Sequence, residues 1–303
     1  MQEIEEVFEQ TDEQGTIIIR KIKLFDGIWM IYTEAHRENY SFTDSSAFIE
    51  NVFEISHCQQ GRLECGVKDS FCYMSPGDLI IAKTNDVKRD TYFPLHHFHG
   101  LCIRIDTSQT PDNLSDFLDG VLVNPKDLME KFCNGRDFFI ARSHPSVENI
   151  FAEIYNVPKD IQIGYMKVKV LELLLFLTAY RIEENEVEER SLSVAQVKLA
   201  KEVAQYLLSQ IDQKVTLEEL ARKFHMSESY IKNSFKSVYG VSYYNFVKAQ
   251  KMESAAYLLE YTDQSIVEIA GKHGYDNSSK FASAFRSIFG MTPTQYRKEK
   301  QMK

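Results

Sequence analysis

The sequence predicts an α+β chain: a β-rich N-terminal half that ends in a helical segment, then an all-α module built from two helix-turn-helix units. Three observations predict it. Short β-rich runs fill the sequence as far as Ile105, an apolar pattern of helical period takes over at Gly164, and the C-terminal stretch carries one arrangement twice.

The β-rich runs are Thr16 to Ile22, Ile28 to Thr33, Asn51 to Ser56, Phe71 to Met74, Asp78 to Ala82 and Leu101 to Ile105. Ser75-Pro76-Gly77-Asp78 is a strong turn between two of them, because proline fixes one dihedral and glycine tolerates a positive φ. The pattern predicts a small antiparallel barrel or sandwich. From Gly164 to Ile182, Val168, Leu171, Leu174, Leu175 and Ala179 form an apolar helical face, and Val170, Leu173, Phe176 and Leu177 widen it. That width fits packing against the β layer alone, or packing partly against the same helix of a second subunit.

His96-His97-Phe98-His99, with His57-Cys58 farther back, is the one ligand-like cluster. Strand alternation puts His97 and His99 on one face with His96 opposite, and no following Glu supplies a third ligand at short spacing. No metal and no cofactor are therefore expected. Three readings stay open: a metal site, a pocket for an organic effector, or a structural role. The effector reading selects Trp29, Tyr32, His97 and His99 as candidate contacts, against the alternative that strand aromatics fill a core.

Charge divides the 303-residue chain where chemistry does: residues 1–197 carry a net charge of -14 and residues 198–303 one of +5. A basic module is thus concealed within an acidic total, and the acidic half argues against nucleic acid wrapped around the whole chain. The run from Glu183 to Ser191 is the expected boundary. Five cysteines, Cys58, Cys65, Cys72, Cys102 and Cys133, lack a paired CxxC spacing and read as buried thiols, with metal or redox sensing as the alternative. The N-terminal residues are acidic where a secretory signal would be basic, and no apolar run approaches membrane-spanning length. A cytoplasmic chain with no membrane contact is expected.

In the basic module, Thr216 with Glu219 and Ser265 with Glu268 fit capping boxes. Leu217, Leu220 and Ala221 give the first short helix its inward face; Ile266, Ile269 and Ala270 do so for the second, with small alanines where the next helix crosses closely. The following helices are anchored by Ile231 with Phe235 and by Phe281 with Phe285, and Ser227 and either Asp276 or Asn277 are their expected caps. Their outward sides offer Ser229, Lys232, Asn233 and Lys236 in the first unit, and Asn277, Ser278, Ser279, Lys280, Ser283 and Arg286 in the second. Asn can pair bidentately with adenine, Ser can donate or accept, and Lys or Arg can reach guanine or phosphate. Lys232, Asn233, Ser279, Lys280 and Ser283 are assigned to bases, Lys236 and Arg286 to phosphates. Between the units, Ser242 to Glu260 reads as one helix; its 19 residues span roughly 28 Å. That length would set two recognition helices close to one turn of B-DNA apart, about 34 Å. The partner predicted is double-stranded DNA.

These residues resemble the AraC/XylS family of bacterial transcription regulators over about residues 198–300. The resemblance rests on Leu217-Glu-Glu-Leu-Ala221, Met226-Ser227, Ser229-Tyr230, Phe235-Lys236 and Gly240, then Ile266-Val-Glu-Ile-Ala270, Gly274-Tyr275, Phe281, Phe285-Arg286 and Phe289 to Arg297. Lys280 stands where many members have an aromatic or His, and Ala282-Ser283 where Ser-Arg is frequent. The resemblance implies an N-terminal cupin-like β-barrel as sensor at 1–160, a helical dimerisation element and linker at 161–190, and a double helix-turn-helix DNA-binding domain at 198–300. The histidines depart from the metal-binding cupin pattern. It also implies a homodimer, a small-molecule effector and contact with RNA polymerase.

The function expected is a sequence-specific transcriptional activator under effector control. A constitutive DNA-bound regulator and a helical protein-interaction module remain as alternatives. An enzyme on the β scaffold would need a complete metal or catalytic set that the His cluster does not supply.

Overall fold

The computed structural model describes residues 5–43, 51–67, 70–83, 88–116, 118–135, 138–141, 144–182 and 192–301. The chain divides into two compact units, residues 1–192 and 193–303. The acidic run 183–191, expected as the linker, lies outside the described residues.

The first unit is built on a seven-stranded antiparallel sheet. Its strands are β1 (Glu5–Asp12), β2 (Gly15–Phe25), β3 (Ile28–Arg37), β5 (Val52–Gly61), β8 (Leu79–Lys83), β10 (Phe98–Asp106) and β11 (Phe138–Ala141), in the order β1-β2-β3-β10-β5-β8-β11. Two further antiparallel pairs form, β4 (Asn39–Thr43) with β9 (Lys88–Tyr92) and β6 (Leu63–Val67) with β7 (Ser70–Met74). The turn before β8 forms as its residues require: the Asp78 N–H donates to the Ser75 carbonyl at 2.9 Å, and Gly77 takes φ 86°.

The expected cupin-like barrel does not exist, because no sheet closes: β1 and β11 are the two open ends of a linear order. The physical reason lies in the central strands. They carry apolar residues on both faces, so the sheet packs as a middle layer between two covers. One face, with Met30, Ile55, Leu101, Ile103 and Ile105, packs under helices α1 (Pro125–Cys133), α2 (Pro145–Tyr155) and α3 (Gln162–Ala179). The other, with Ile17, Ala35, Cys58 and Ile80, is covered by Cys72 and Met74 of β7 and by Phe93 and Phe98. With its apolar residues taken up by these two covers, the sheet ends at β1, paired to β2, and at β11, paired to β8, and the two ends do not pair with each other.

Helix α3 seats Met166, Val170, Leu173, Leu174 and Leu177 in the core and leaves Val168, Leu175 and Ala179 outward. All five cysteines are free; Cys58, Cys72 and Cys133 are buried. No described helix is long and apolar enough to cross a membrane.

The second unit is all helical: α4 (Val194–Ser209), α5 (Leu217–Phe224), α6 (Glu228–Tyr239), α7 (Tyr243–Tyr261), α8 (Ile266–Lys272), α9 (Ser278–Phe289) and α10 (Pro293–Gln301). A capping box of Ser193 with Gln196 opens α4. α7 buries Phe246, Met252, Ala255, Ala256 and Leu259 and covers Val247 and Leu258 only in part. Arg297 of α10 ties the end of α7 down, donating to the carbonyls of Leu259 at 3.2 Å and Gln264 at 2.6 Å.

Candidate nucleic-acid interface

Each helix pair of the second unit starts from a closed capping box. The Thr216 N–H donates to Glu219 Oε2 at 2.7 Å while Thr216 Oγ1 accepts the Glu219 N–H at 3.2 Å; Ser265 and Glu268 repeat this at 2.8 and 3.2 Å. The backbone N–H of Thr216 and of Ser265 holds each glutamate's carboxyl below its usual range. The turns that follow close alike: the Met226 N–H donates to Ala221 O at 3.2 Å, and Tyr275 N–H to Ala270 O at 3.0 Å. The left-handed position in that turn is Gly274 in the second unit, φ 75°, but His225 in the first, φ 54°.

α6 and α9 are then fixed by their buried aromatics. Phe235 stacks on Tyr239 with centroids 4.5 Å apart and meets Phe246 edge-on at 5.5 Å; Phe285 stacks on Phe289 at 4.6 Å and meets Tyr296 at 5.4 Å. Both helices end in a left-handed glycine, Gly240 and Gly290. Burying Ile231, Ser234, Phe235, Val238 and Tyr239 turns Ser229, Lys232, Asn233 and Lys236 outward, spaced along one stripe of α6. On α9, burial of Phe281, Ala284 and Phe285 leaves Ser278, Ser279, Lys280, Ser283 and Arg286 exposed. Among the described residues, no side-chain partner engages Lys232, Asn233, Lys236, Lys280 or Arg286.

Asn277 differs from the rest. It caps α9, its Oδ1 accepting the Ser279 and Lys280 N–H groups at 2.7 and 3.3 Å. Bidentate pairing to adenine needs that same oxygen, so capping competes with base reading. Tyr230, not among the residues assigned to DNA from the sequence, is exposed and stands fifty residues before Lys280, at the corresponding position of α6. Superposing the two copies by their anchors, Ile231 on Phe281 and Phe235 on Phe285, would have found it.

A family profile described as a helix-turn-helix domain matches residues 220–299. The TetD protein of transposon Tn10 from Escherichia coli is 33% identical over 100 residues, a match that takes in 33% of this chain and 72% of that protein. YdiP of E. coli K12, an uncharacterized HTH-type transcriptional regulator, is 34% identical over 124 residues. The chain belongs to the helix-turn-helix transcriptional regulators. That family is one of transcription factors and not of enzymes, and the DNA-binding module of this regulator is related to AraC/XylS-type domains. The match covers 41% of this regulator and 39% of YdiP, so the chain spans less than half of that relative's length. Among solved structures, the C-terminal domain of AraT, a response regulator from Geobacillus stearothermophilus, is 33% identical, covering 33% of this chain and 84% of that one with a TM-score of 0.32.

In the first unit of the regulator, Tyr32 and His99 line one groove of about 270 Å³ together with Glu34, Gln59, Tyr155 and Gln162. The Tyr32 hydroxyl is buried with no hydrogen-bond partner among the described residues, and burial pushes its pKa up. Trp29 and His97 do not line that groove. Trp29 sits on the opposite face of β3 from Met30, with Lys21 Nζ 4.4 Å above its ring. His97 is half-buried just before β10, and burial lowers its pKa. Glu34 and His36 had no signal in the sequence, yet the strand pairing brings both beside His99.

Proposed function

We propose that this regulator binds operator DNA as a homodimer, placing α6 and α9 of each chain in successive major-groove segments, and activates transcription when its first unit binds a small molecule. The observation that carries the reading is the pair of exposed polar stripes: Ser229, Lys232, Asn233 and Lys236 on α6, and Ser279, Lys280, Ser283 and Arg286 on α9. Lys236 and Arg286 contact phosphates, and the residues nearer the helix starts read base edges. The net charge of +5 over residues 198–303 favours the polyanion. Residues 1–160 act as sensor, 161–190 as dimerisation element and linker, and 198–300 as the reader.

The effector site is the groove of about 270 Å³, whose buried and unpartnered Tyr32 hydroxyl is suited to a polar group of the ligand. Val168 and Leu175, exposed on α3, supply the apolar surface for the second subunit. Contact with RNA polymerase follows from the family resemblance.

The experiment is DNase footprinting of the full-length protein over the intergenic DNA flanking its own gene, at physiological salt with nonspecific competitor. A protected pair of half-sites, each holding two major-groove segments one turn apart, is the expected outcome. If a genome-derived DNA selection also recovers no sequence, with and without cell extract, the reading fails in favour of a protein-interaction module.

A further inference from the structure

The geometry points to a divalent-metal site of the zinc class on the first unit, formed by Glu34 and His36 of β3 and His99 of β10. The two strands pair antiparallel with His99 opposite Glu34. Strand alternation sends Glu34 and His36, two residues apart, to the same face. Their donor atoms converge: His36 Nε2 lies 3.3 Å from His99 Nε2 and 3.4 Å from Glu34 Oε1, and His99 Nε2 lies 3.9 Å from that oxygen.

These separations decide between two explanations. A charge-assisted hydrogen bond between imidazole and carboxylate closes to roughly 2.7–2.9 Å, and both imidazole–carboxylate pairs here are longer. Ligand atoms about 2.0–2.1 Å from a tetrahedral zinc ion stand about 3.3–3.4 Å from one another, and two of the three pairs have that spacing. The two imidazole rings meet edge-on, centroids 5.1 Å apart and planes at 88°, so both Nε2 atoms approach one point without the rings overlapping. Two neutral imidazoles and one carboxylate also form a donor set suited to zinc and its neighbours in the first transition row.

The backbone beside His99 is built for this position. The pairing of β10 with β5 shifts register between His99 and Gly100, a bulge of the kind that re-aims a side chain. Gly100 is obligatory there, since a Cβ would stand 2.3 Å from the Phe98 ring and 2.8 Å from the His57 carbonyl oxygen. Upstream, the His96 N–H donates to Phe93 O at 2.9 Å, closing the turn that starts the strand. Glu34 and His99 also line the groove of about 270 Å³, so the fourth coordination position falls to water or to an oxygen of a molecule held there.

The test is Co²⁺ titration of the chelator-stripped, reduced full-length protein, followed by competition with Zn²⁺. Cys65 and Cys72 face one another across β6 and β7 and are the competing soft ligands, so the spectrum must separate nitrogen and oxygen ligation from sulfur. One ion per chain is expected, with visible d–d bands, no sulfur-to-cobalt charge-transfer band, and release by Zn²⁺. His36→Ala and His99→Ala should each weaken binding at least tenfold, and Glu34→Gln should weaken it as well, with far-UV circular dichroism unchanged. Cys65→Ser should leave the titration as it is. A wild-type titration without these bands overturns the assignment; so does a sulfur charge-transfer band, or an affinity that survives both histidine replacements.

Discussion

The imidazole of His57 lies flat on the ring of Phe151, centroids 4.1 Å apart and planes 7° from parallel. This contact joins β5 to α2 in the core of the first unit. Its two nitrogens face Tyr155 Oη at 3.3 Å and Glu148 Oε1 at 3.5 Å. Burial lowers the imidazole pKa and outweighs the opposing pull of Glu148, whose carboxylate is partly in water. The folded state therefore holds His57 neutral where the unfolded chain would begin to protonate it.

The first prediction follows from that sign. Stability tied to His57 is complete above the ordinary imidazole range, about pH 6.5, and is lost as pH falls below it. Thermal melts should show the first unit losing stability between about pH 7.5 and pH 5.5, and less steeply in His57→Gln. A melting temperature that holds or rises on acidification would count against the buried neutral imidazole.

The second concerns the one turn the two helix-turn-helix copies build differently. His225 occupies a left-handed conformation that Gly274 fills in the other copy. His225→Gly removes the Cβ clash, partly offset by a freer unfolded chain, and should stabilise the second unit by about 0.5–1 kcal/mol. Urea unfolding of the full chain, followed through the second unit's transition, measures it. A lower midpoint would show that the imidazole makes a compensating contact.

Loss of either capping box should have the opposite effect. Thr216→Ala and Ser265→Ala remove the oxygen that accepts the Glu219 or Glu268 N–H, leaving one helix-start amide unpaired in each case, and should cost about 1 kcal/mol of unfolding free energy. The Ser variants of Thr216 and the Thr variant of Ser265 should recover most of it in the same denaturation experiment. No recovery would place the loss in packing instead.

For DNA binding, Lys236→Ala and Arg286→Ala should weaken affinity across all sequences and reduce the salt slope by about one each. Asn233→Ala and Lys280→Ala should instead alter which bases are preferred. Binding across a randomised library distinguishes the two pairs, and one shared preference profile for all four variants would refute the division. Tyr230→Ala should shift preference in the major-groove segment read by α6.

Dimerisation through α3 predicts that Leu175→Glu, at a position 43% exposed, makes the protein monomeric in sedimentation velocity while the fold persists. A wild-type chain that sediments as a monomer at high micromolar concentration would remove α3 from the interface.

Much of the second unit was legible in the sequence because its signals are local. Thr216 and Glu219 lie within one helical turn, as do Ile231 and Phe235, so their spacing alone specifies the helix start and the buried face. Local reading reached less far even here: it left open whether Asp276 or Asn277 caps α9, which the hydrogen bonds of Asn277 decide. In the first unit β2, β3, β5, β7, β8 and β10 are legible, whereas β1, β4, β6 and β9 lack distinct apolar runs and β11, though apolar, is only four residues long.

The sequence by itself determined the repeated helix-turn-helix units, the helices' exposed polar stripes and the turn at Pro76-Gly77, since each depends on residues within a few positions of one another. Only the tertiary structure decided that the sheet stays open and that Glu34 and His36 meet His99. His36 and His99 are 63 residues apart, and strand alternation tells which face a side chain takes but not which strand lies beside it. Register across distant strands is set by the joint burial of both sheet faces, a property of the whole core that no local spacing records.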